Sequence, residues 1–200
     1  AYHEQVCLIQ FSVPNTNYVV DPLAIEDLSP LKPFFETPKV EKVFHAADYD
    51  LIVLKRDFGF ACTALFDTMW SARILGWPRV GLADILKQYF NVNVNKRYQR
   101  YNWGRRPLDP KALTYAWKDT YYLLRLREIQ QAELKDKNRW EEAQEIFTYL
   151  CENSTFQPFP DLDSLFWRIK GVHHLSKSEQ RILYQLHKWR ESTAQKLDRP

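Results

Sequence analysis

Two side chains near the middle of the sequence have the chemistry and spacing of a hydrolytic site. Tyr115 and Asp119 lie four residues apart in a stretch that the hydrophobic pattern predicts to be helical. On a helix this spacing places the phenol and the carboxylate on one face, one turn apart. The carboxylate can then bind a cation while the phenol holds a water. The same spacing also occurs on half-buried helices without any chemical role, so other residues must decide.

Two further carboxylates follow predicted strands. Asp50 lies after a strand predicted at 39–46, in the first turn of the next helix, and Asp67 follows a strand predicted at 63–66. Ligand sites of open α/β sheets gather at the carboxyl ends of strands. Carboxylates that converge there repel one another unless they bind cations, which favours a Mg²⁺ or Mn²⁺ site. Acids also suit helix N-termini. We assign Asp67 to capping its helix and Asp50 to the metal site.

A basic and aromatic loop precedes the helix that carries Tyr115. Residues 96–106 contain five cations, three aromatic side chains and no acid. A charge run is usually a solvated loop, but interleaved rings favour single-stranded nucleic acid, with cations on phosphates and rings under bases. The residues predicted to make this contact are Lys96, Arg97, Tyr98, Arg100, Tyr101, Trp103, Arg105 and Arg106.

Strands and helices in alternation are predicted to position these residues. The pattern indicates an α/β fold in which a mixed sheet is flanked by helices, beginning with a hairpin of strands at 6–11 and 18–20. His45, at the end of the third strand, is predicted to be a hydrogen-bonded structural residue. A short helix is predicted after Pro22, ending at about Phe35, and further helices are predicted at 48–58, 68–75, 82–90, 109–135, 140–151 and 176–197.

The last fifth of the sequence predicts a second unit. Ser176 and Glu179 have the spacing of a capping box, and the apolar stripe that follows is too much for one helix to bury alone. We therefore divide the sequence into a domain at 1–150, a linker at 151–163 and the start of a helical domain at 164–200.

The composition excludes several other classes of protein. A hydrophobic share of 45% suits a packed core, and no apolar run approaches the roughly 20 residues of a membrane span. Three cysteines far apart indicate neither a disulfide framework nor a structural zinc site, which fits a reducing, cytoplasmic setting. A glycine-rich phosphate loop and a G-x-S-x-G nucleophile elbow are both missing from the sequence.

Several segments together resemble the ribonuclease D family of DEDD-type 3′–5′ exonucleases, in the subgroup with a tyrosine in the third motif. Their order and spacing match as a set, whereas each alone is a weak signal. They lie at 43–51, 65–69, 81–83, 98–100, 103, 106–108 and 115–119. The tail resembles the start of an HRDC domain through Leu183, Leu186, Trp189, Arg190, Ala194, Asp198 and Pro200.

The resemblance implies a ribonuclease H-like exonuclease fold and a site with two divalent ions, Mg²⁺ or Mn²⁺. Asp119 corresponds to the ligand of the ion that activates water, Tyr115 to the residue that orients this water, and Asp50 to a ligand of the second ion. The family's other two acids form an Asp-x-Glu pair on a central first strand, which no acids before Val6 can replace. We expect a gap between neighbouring strands and weak or no activity of these 200 residues alone.

The resemblance implies hydrolysis of RNA from its 3′ end, at single-stranded, tRNA-like termini, with release of nucleoside monophosphates. Neither a small-molecule cofactor nor a membrane partner is expected. Two alternatives stay open: a non-catalytic nucleic-acid-binding fragment or pseudoenzyme, and a DNA 3′–5′ exonuclease.

Overall fold

The structure is a computed structural model that describes residues 4–94, 98, 101–156 and 161–198. Contacts group the described residues into two units, one of residues 6–156 and one that includes residues 161–198. Three predicted nucleic-acid contacts, Lys96, Arg97 and Arg100, lie outside the described residues. The predicted domain boundaries at 150 and 164 remain predictions.

The described strands form two separate pairs, which confirms the α/β class. β1 (Ile9–Val13) and β2 (Thr16–Val20) form the predicted antiparallel hairpin. β3 (Lys42–Phe44) and β4 (Leu65–Asp67) are parallel, with Phe44 opposite Asp67. The strand predicted at 39–46 is much shorter than expected. Its continuation is blocked by Ala46, which adopts a left-handed conformation with φ 62° directly before the next helix.

Helices surround both strand pairs. Their bounds are α1 (Lys32–Glu36), α2 (Ala47–Phe58), α3 (Thr68–Ile74), α4 (Leu82–Phe90), α5 (Pro110–Tyr121), α6 (Leu123–Asp136), α7 (Trp140–Asn153), α8 (Leu162–Trp167) and α9 (Lys177–Leu197). The short helix predicted to end near Phe35 forms as a 3₁₀ turn at Ser29–Leu31 followed directly by the short α1.

The single helix predicted at 109–135 is wrong, because the chain turns at Tyr122 between α5 and α6. The two segments have different partners: α5 packs against β1, whereas α6 packs against α3. The Tyr122 ring packs between Phe90, 5.2 Å away, and Tyr121, 4.8 Å away between ring centroids. The break at Tyr122 therefore allows one stretch of helical sequence to pack against both strand pairs.

Helix α2 joins the two hydrophobic clusters of the larger unit. Leu51 packs in a cluster centred on the fully buried Phe66 of β4, while Leu54 packs in a second cluster with Phe35 and Ile9. Gly59 ends α2 in a left-handed conformation with φ 67°, as its sequence position predicts. The start of α2 is consequently fixed relative to both strand pairs, and this start carries Asp50.

The second unit is helical. Ser176 and Glu179 form the predicted capping box at the start of α9. Phe166, Val172 and His187 are buried in this unit, and His173 and His174 are exposed. Within the described residues, no helix has the length and apolar character of a membrane span.

Candidate active site

Asp67 is the last residue of β4, and its carboxylate holds the starts of the two helices next to the candidate site. As predicted, its carboxylate caps α3, accepting hydrogen bonds from the N–H groups of Met69 at 2.8 Å and Trp70 at 3.0 Å. It also accepts from Ala47 N–H at 2.6 Å and Ala46 N–H at 3.3 Å. One buried carboxylate therefore holds the N-termini of both α2 and α3, a double role that the sequence did not indicate.

His45 is the structural residue that the sequence predicts. Its Nδ1 lies 2.9 Å from the hydroxyl of Thr68, which donates to the carbonyl of Phe44 at 2.9 Å. Burial lowers the pKa of His45 to about 4, so the ring is neutral at physiological pH. His45 is consequently a hydrogen-bonding group beside the site and contributes no charge to it.

Asp50 stands in the first turn of α2, as predicted, and faces a cavity. Loss of hydration between the cavity walls, followed by repulsion from Asp67, raises the pKa of Asp50 to about 6. A carboxylate in this environment gains from a cation, because the cation offsets both unfavourable effects.

Tyr115 and Asp119 occupy one face of α5, which begins where the sequence predicts. Asp109 caps the helix through Lys111 N–H at 2.8 Å, and Pro110 is its first residue. Near its other end, the hydroxyls of Thr120 and Ser12 lie 2.7 Å apart and join α5 to β1. Burial raises the pKa of Asp119 to about 6, and burial together with Asp119 raises the pKa of Tyr115.

All three predicted catalytic residues line one cavity of about 680 Å³. The cavity lies between β1 and β3, and consecutive residues of both strands line it, 8–12 on one side and 41–45 on the other. A strand face would contribute alternate residues, so this lining indicates that the edges of the two strands face the cavity. Among the described residues neither edge has a strand partner on this side. The cavity thus occupies the position of the expected gap between strands.

The carboxylates of Asp50 and Asp119 suit a hard divalent cation. Mg²⁺ commonly binds through one or two carboxylates and completes its shell with water and substrate phosphates. Within the described part of the chain, no group of three or more His, Cys, Asp or Glu side chains converges as a metal-binding set. The carboxylates of Asp50 and Asp119 therefore fit part of a two-ion site.

Aromatic rings of the predicted contact loop reach the Tyr115 ring. The Tyr98 ring lies 5.6 Å from it and the Trp103 ring 6.3 Å, between centroids. Tyr101 contacts both loop rings, and its hydroxyl accepts a hydrogen bond from Asp109 N–H at 3.2 Å, at the start of α5. We call these four residues, Tyr98, Tyr101, Trp103 and Tyr115, the aromatic shelf. It places ring faces, which can stack on bases, next to the candidate metal ligands.

Arg106, in contrast, is fully engaged with the protein. Its Nε and Nη2 donate to the carboxylate of Asp21, and the Nε contact is 2.6 Å. Nη2 also donates to Cys7 O at 2.9 Å, and Nη1 donates to Trp103 O at 2.7 Å and Arg105 O at 2.9 Å. These bonds use all five guanidinium donors. Arg106 therefore ties the aromatic shelf to the segment before β1 and to the loop after β2, and has no donor left for a phosphate.

The neighbouring Arg105 is exposed and remains a predicted phosphate contact. Sequence reasoning missed Asp21, the partner of Arg106. The two residues are 85 positions apart, and an acid before a proline reads as an ordinary turn residue. The Arg106 hydrogen bonds hold the pKa of Asp21 below its usual value, so the pair stays ionised near neutral pH.

Comparison with known proteins identifies the family to which the chain is similar. Residues 1–135 match the sequence pattern of a 3′–5′ exonuclease family. The exosome complex exonuclease RRP6 of Saccharomyces cerevisiae is 31% identical over 212 residues, which cover 99% of this chain and 29% of that protein. Ribonuclease D of Haemophilus influenzae is 34% identical over 196 residues, which cover 96% of this chain and 49% of that protein.

Solved structures give the same result for the fold. The catalytic core of RRP6 from Trypanosoma brucei superposes with a TM-score of 0.84 at 28% identity, covering 98% of this chain and 55% of that one. This likeness confirms the exonuclease fold class. The chain spans less than a third of the length of the yeast relative and about half of the bacterial one.

Proposed function

The chain belongs to the family of 3′–5′ exonucleases, and we propose that it carries one side of the active site of a metal-dependent exoribonuclease. The observation that carries this proposal is the convergence of Asp50, Tyr115 and Asp119 on one cavity. The reaction is hydrolysis of the terminal phosphodiester at an RNA 3′ end, with release of a nucleoside monophosphate. RNA is favoured over DNA because the bacterial relative is named as a ribonuclease.

Each residue of the cavity has a defined task in this proposal. Asp119 and Asp50 hold the divalent ions, Mg²⁺ or Mn²⁺, which when bound stabilise charge on the attacking and leaving oxygens. Tyr115 holds the attacking water by a hydrogen bond. Burial and Asp119 raise the pKa of Tyr115 in the metal-free chain, so its phenol is protonated at neutral pH and can donate this hydrogen bond.

The aromatic shelf and the basic loop would hold the 3′-terminal nucleotides. Rings stack on bases without strong sequence preference, which suits an enzyme that removes successive nucleotides. Arg105 is the described cation best placed for a phosphate, since Arg106 is engaged. We further propose single-stranded, tRNA-like ends as the substrate and the cytoplasm as the setting.

We propose that residues 1–200 alone are weakly active or inactive. The two carboxylates described at the cavity as metal ligands, Asp50 and Asp119, supply fewer ligand atoms than two divalent ions require. A synthetic strand with an Asp-x-Glu pair, added in trans, tests this with RNA labelled at its 3′ end. The peptide should restore Mg²⁺-dependent release of mononucleotides by occupying the cavity between β1 and β3. A matched Asn-x-Gln peptide should not, and neither peptide should act on an Asp119→Asn variant. Equal activity with both peptides would contradict the proposal.

A second candidate is a nucleic-acid-binding fragment without catalysis, favoured by the lack of a three-ligand metal group among the described residues. Binding of labelled RNA separates the two. An enzyme binds the 3′ end more tightly with Mg²⁺ and loses this preference in EDTA. A binding fragment keeps its affinity in EDTA and responds only to salt. Hydrolysis of a DNA strand at the same rate as RNA would favour the DNA exonuclease alternative.

We also propose that residues 164–200 begin an HRDC-like domain. In the described part of this unit, α9 exposes Ile182, Leu186 and Trp189, each more than half accessible. These residues form one stripe of the helix, as expected of a helix that packs in a larger helical domain.

A further inference from the structure

The two ring nitrogens of His45 have different environments beside the proposed catalytic cavity. His45 lines this cavity and is half-buried. Its Nδ1 lies 2.9 Å from the hydroxyl of Thr68, a side chain that is fully buried. Within the described residues, no group forms a hydrogen bond with Nε2, and Nε2 is not among the buried polar atoms that lack a partner. This second nitrogen is therefore accessible to a ligand.

The Thr68 hydroxyl determines which nitrogen of His45 carries the proton. A hydroxyl has a single hydrogen, and Thr68 donates it to the carbonyl oxygen of Phe44 at 2.9 Å. Towards His45 the hydroxyl oxygen can only accept, so the proton of the ring is on Nδ1. Even at the ordinary histidine pKa of about 6.5, an imidazole is mostly neutral at pH 7.5. Nε2 consequently has a free lone pair and is a hydrogen-bond acceptor.

Buried contacts hold Thr68 in place. Its carbonyl oxygen accepts a hydrogen bond of 2.8 Å from the side-chain amide of Gln130, a fully buried residue of α6. Thr68 is also the first residue of α3, whose N-terminus is capped by Asp67. Because Thr68 is held by both contacts, the orientation and the tautomer of the His45 ring are set before a substrate binds.

A neutral acceptor in a nucleotide site selects a hydrogen-bond donor. Phosphate oxygens are acceptors themselves, so an unprotonated ring nitrogen does not bind them. Mg²⁺ takes oxygen ligands, so Nε2 is also a poor ligand for the proposed ions. The donors of a nucleotide are the amino groups of some bases and the hydroxyls of the ribose. An exonuclease that removes successive nucleotides meets every base, and the ribose hydroxyls are the donors that all its substrates share.

We propose that Nε2 of His45 accepts a hydrogen bond from a ribose hydroxyl of the 3′-terminal nucleotide, which makes His45 a specificity-determining residue. This role rests on the proposed function, because it requires the 3′ end to occupy the cavity that Asp50 and Asp119 line. The 2′-hydroxyl distinguishes RNA from DNA, and the 3′-hydroxyl distinguishes a free end from a blocked one. A site that pairs with a substrate hydroxyl disfavours an analogue that lacks it.

Binding of short oligonucleotides to the 200-residue chain tests this role. Fluorescence anisotropy in Mg²⁺ compares an RNA labelled at its 5′ end with the same RNA carrying a 2′-fluoro or a 3′-fluoro terminal nucleotide, because fluorine has no proton to donate. At least one replacement should weaken binding by about 3–10-fold, the effect of one neutral hydrogen bond. The His45→Phe variant should bind all three strands with similar affinity. His174→Phe, at an exposed histidine, should keep the difference between the strands.

The outcomes separate this role from the proposed function. Equal affinity of the unmodified chain for all three strands would overturn the role of His45 and leave the proposed function in place. Failure of all three strands to bind would overturn both. If His45→Phe does not fold, the comparison of the three strands on the unmodified chain still decides.

Nitrogen NMR of the histidine rings tests the tautomer without nucleic acid. In the unmodified chain at pH 7.5, the His45 proton should be on Nδ1. Thr68→Ser keeps the hydroxyl and should keep this tautomer, whereas Thr68→Val removes the acceptor of the Nδ1 proton and should lose it. A proton on Nε2 in the unmodified chain would overturn the proposal. A shift of the Nε2 resonance on addition of Mg²⁺ alone would identify a metal ligand instead and would also overturn it.

Discussion

The position of Asp119 favours a bound cation, because without one the buried carboxylate destabilises the folded chain. Burial raises the pKa of its carboxyl to about 6 in the folded state, above the value of about 3.9 in an unfolded chain. Protonation is therefore favoured by folding. The stability contributed by this proton is fully present below pH of about 4 and is lost as the pH rises through about 6.

Asp119→Asn should accordingly stabilise the metal-free chain at pH 7.5. We expect about 1–2 kcal/mol after allowance for partial exposure, seen as a Tm higher by about 2–6 °C. At pH 4.5 the variant and the wild type should differ much less. Thermal unfolding in EDTA measures both, with Glu145→Gln on the exposed surface of α7 as control. Destabilisation by Asp119→Asn at pH 7.5 would show that the carboxylate is satisfied without a cation.

Arg106 illustrates how a cation in a basic loop can serve structure. All five of its donors contact Asp21 or backbone carbonyls, including that of Trp103 in the aromatic shelf. An arginine that binds phosphate releases counterions, so its loss reduces the salt dependence of binding. An arginine that orders the loop acts on stability and on the position of the rings instead. The two roles therefore have different experimental signatures.

Arg106→Gln and Asp21→Asn should share one phenotype. Both should lower Tm, weaken RNA binding and leave the slope of log K against log salt unchanged, since neither variant removes a phosphate contact. Arg105→Ala is the matched comparison: we expect it to keep Tm and to reduce the slope by about 0.7, the value for one phosphate of a single strand. A reduced slope in Arg106→Gln with a normal slope in Asp21→Asn would restore the phosphate role.

At the scale of the elements, two helix N-termini depend on one residue. Asp67 ends β4, begins α3 and accepts two hydrogen bonds from the start of α2, where Ala46 has a left-handed conformation. Burial raises the pKa of Asp67, and the backbone N–H groups oppose this effect. Asp50, one turn into α2, keeps its place in the cavity through this junction.

Asp67→Ala should therefore cost more than removal of an ordinary cap. Each cap is worth about 0.5–2 kcal/mol, so the loss of two should reach about 1–4 kcal/mol, or roughly 3–15 °C in Tm. Asp109→Ala, which removes the exposed cap of α5, should cost about 1 kcal/mol. Urea unfolding of both variants gives the comparison. Equal losses would mean that the hydrogen bonds from Ala46 and Ala47 contribute little.

At the scale of the whole molecule, the two units have separate cores. The larger unit packs its strand pairs and helices around α2, while the second buries Phe166, Val172 and His187 among its own helices. The cavity that gathers Asp50, Tyr115 and Asp119 is lined entirely by the larger unit. The candidate site thus belongs to the larger unit alone.

A chain that ends at residue 156 should consequently fold and keep the site. We expect a single cooperative transition with a Tm within a few degrees of the longer chain, and the same response to Asp119→Asn. Calorimetry and near-ultraviolet circular dichroism would detect it. Loss of the cooperative transition in the shorter chain would show that residues 157–200 belong to the same folding unit.

Local pattern was sufficient wherever the decisive interactions lie within a few residues. The periodicity of 82–90 gives α4 with the bounds expected, and Asp67 and Ser176 cap their helices as predicted. The Tyr115 and Asp119 spacing, the position of Asp50 and their companion segments led to the exonuclease family, which the comparisons confirm. Each of these features depends on neighbours that a short window contains.

Tertiary structure alone decided the features that join distant positions. The Arg106–Asp21 pair spans 85 positions, and no local pattern distinguishes these two residues from other surface acids or basic-loop cations. The break at Tyr122 arises because α5 and α6 have different packing partners. The edges of β1 and β3 face one cavity only after both hydrophobic clusters have packed on α2. Such contacts depend on how the whole chain closes, and a window of sequence does not contain that information.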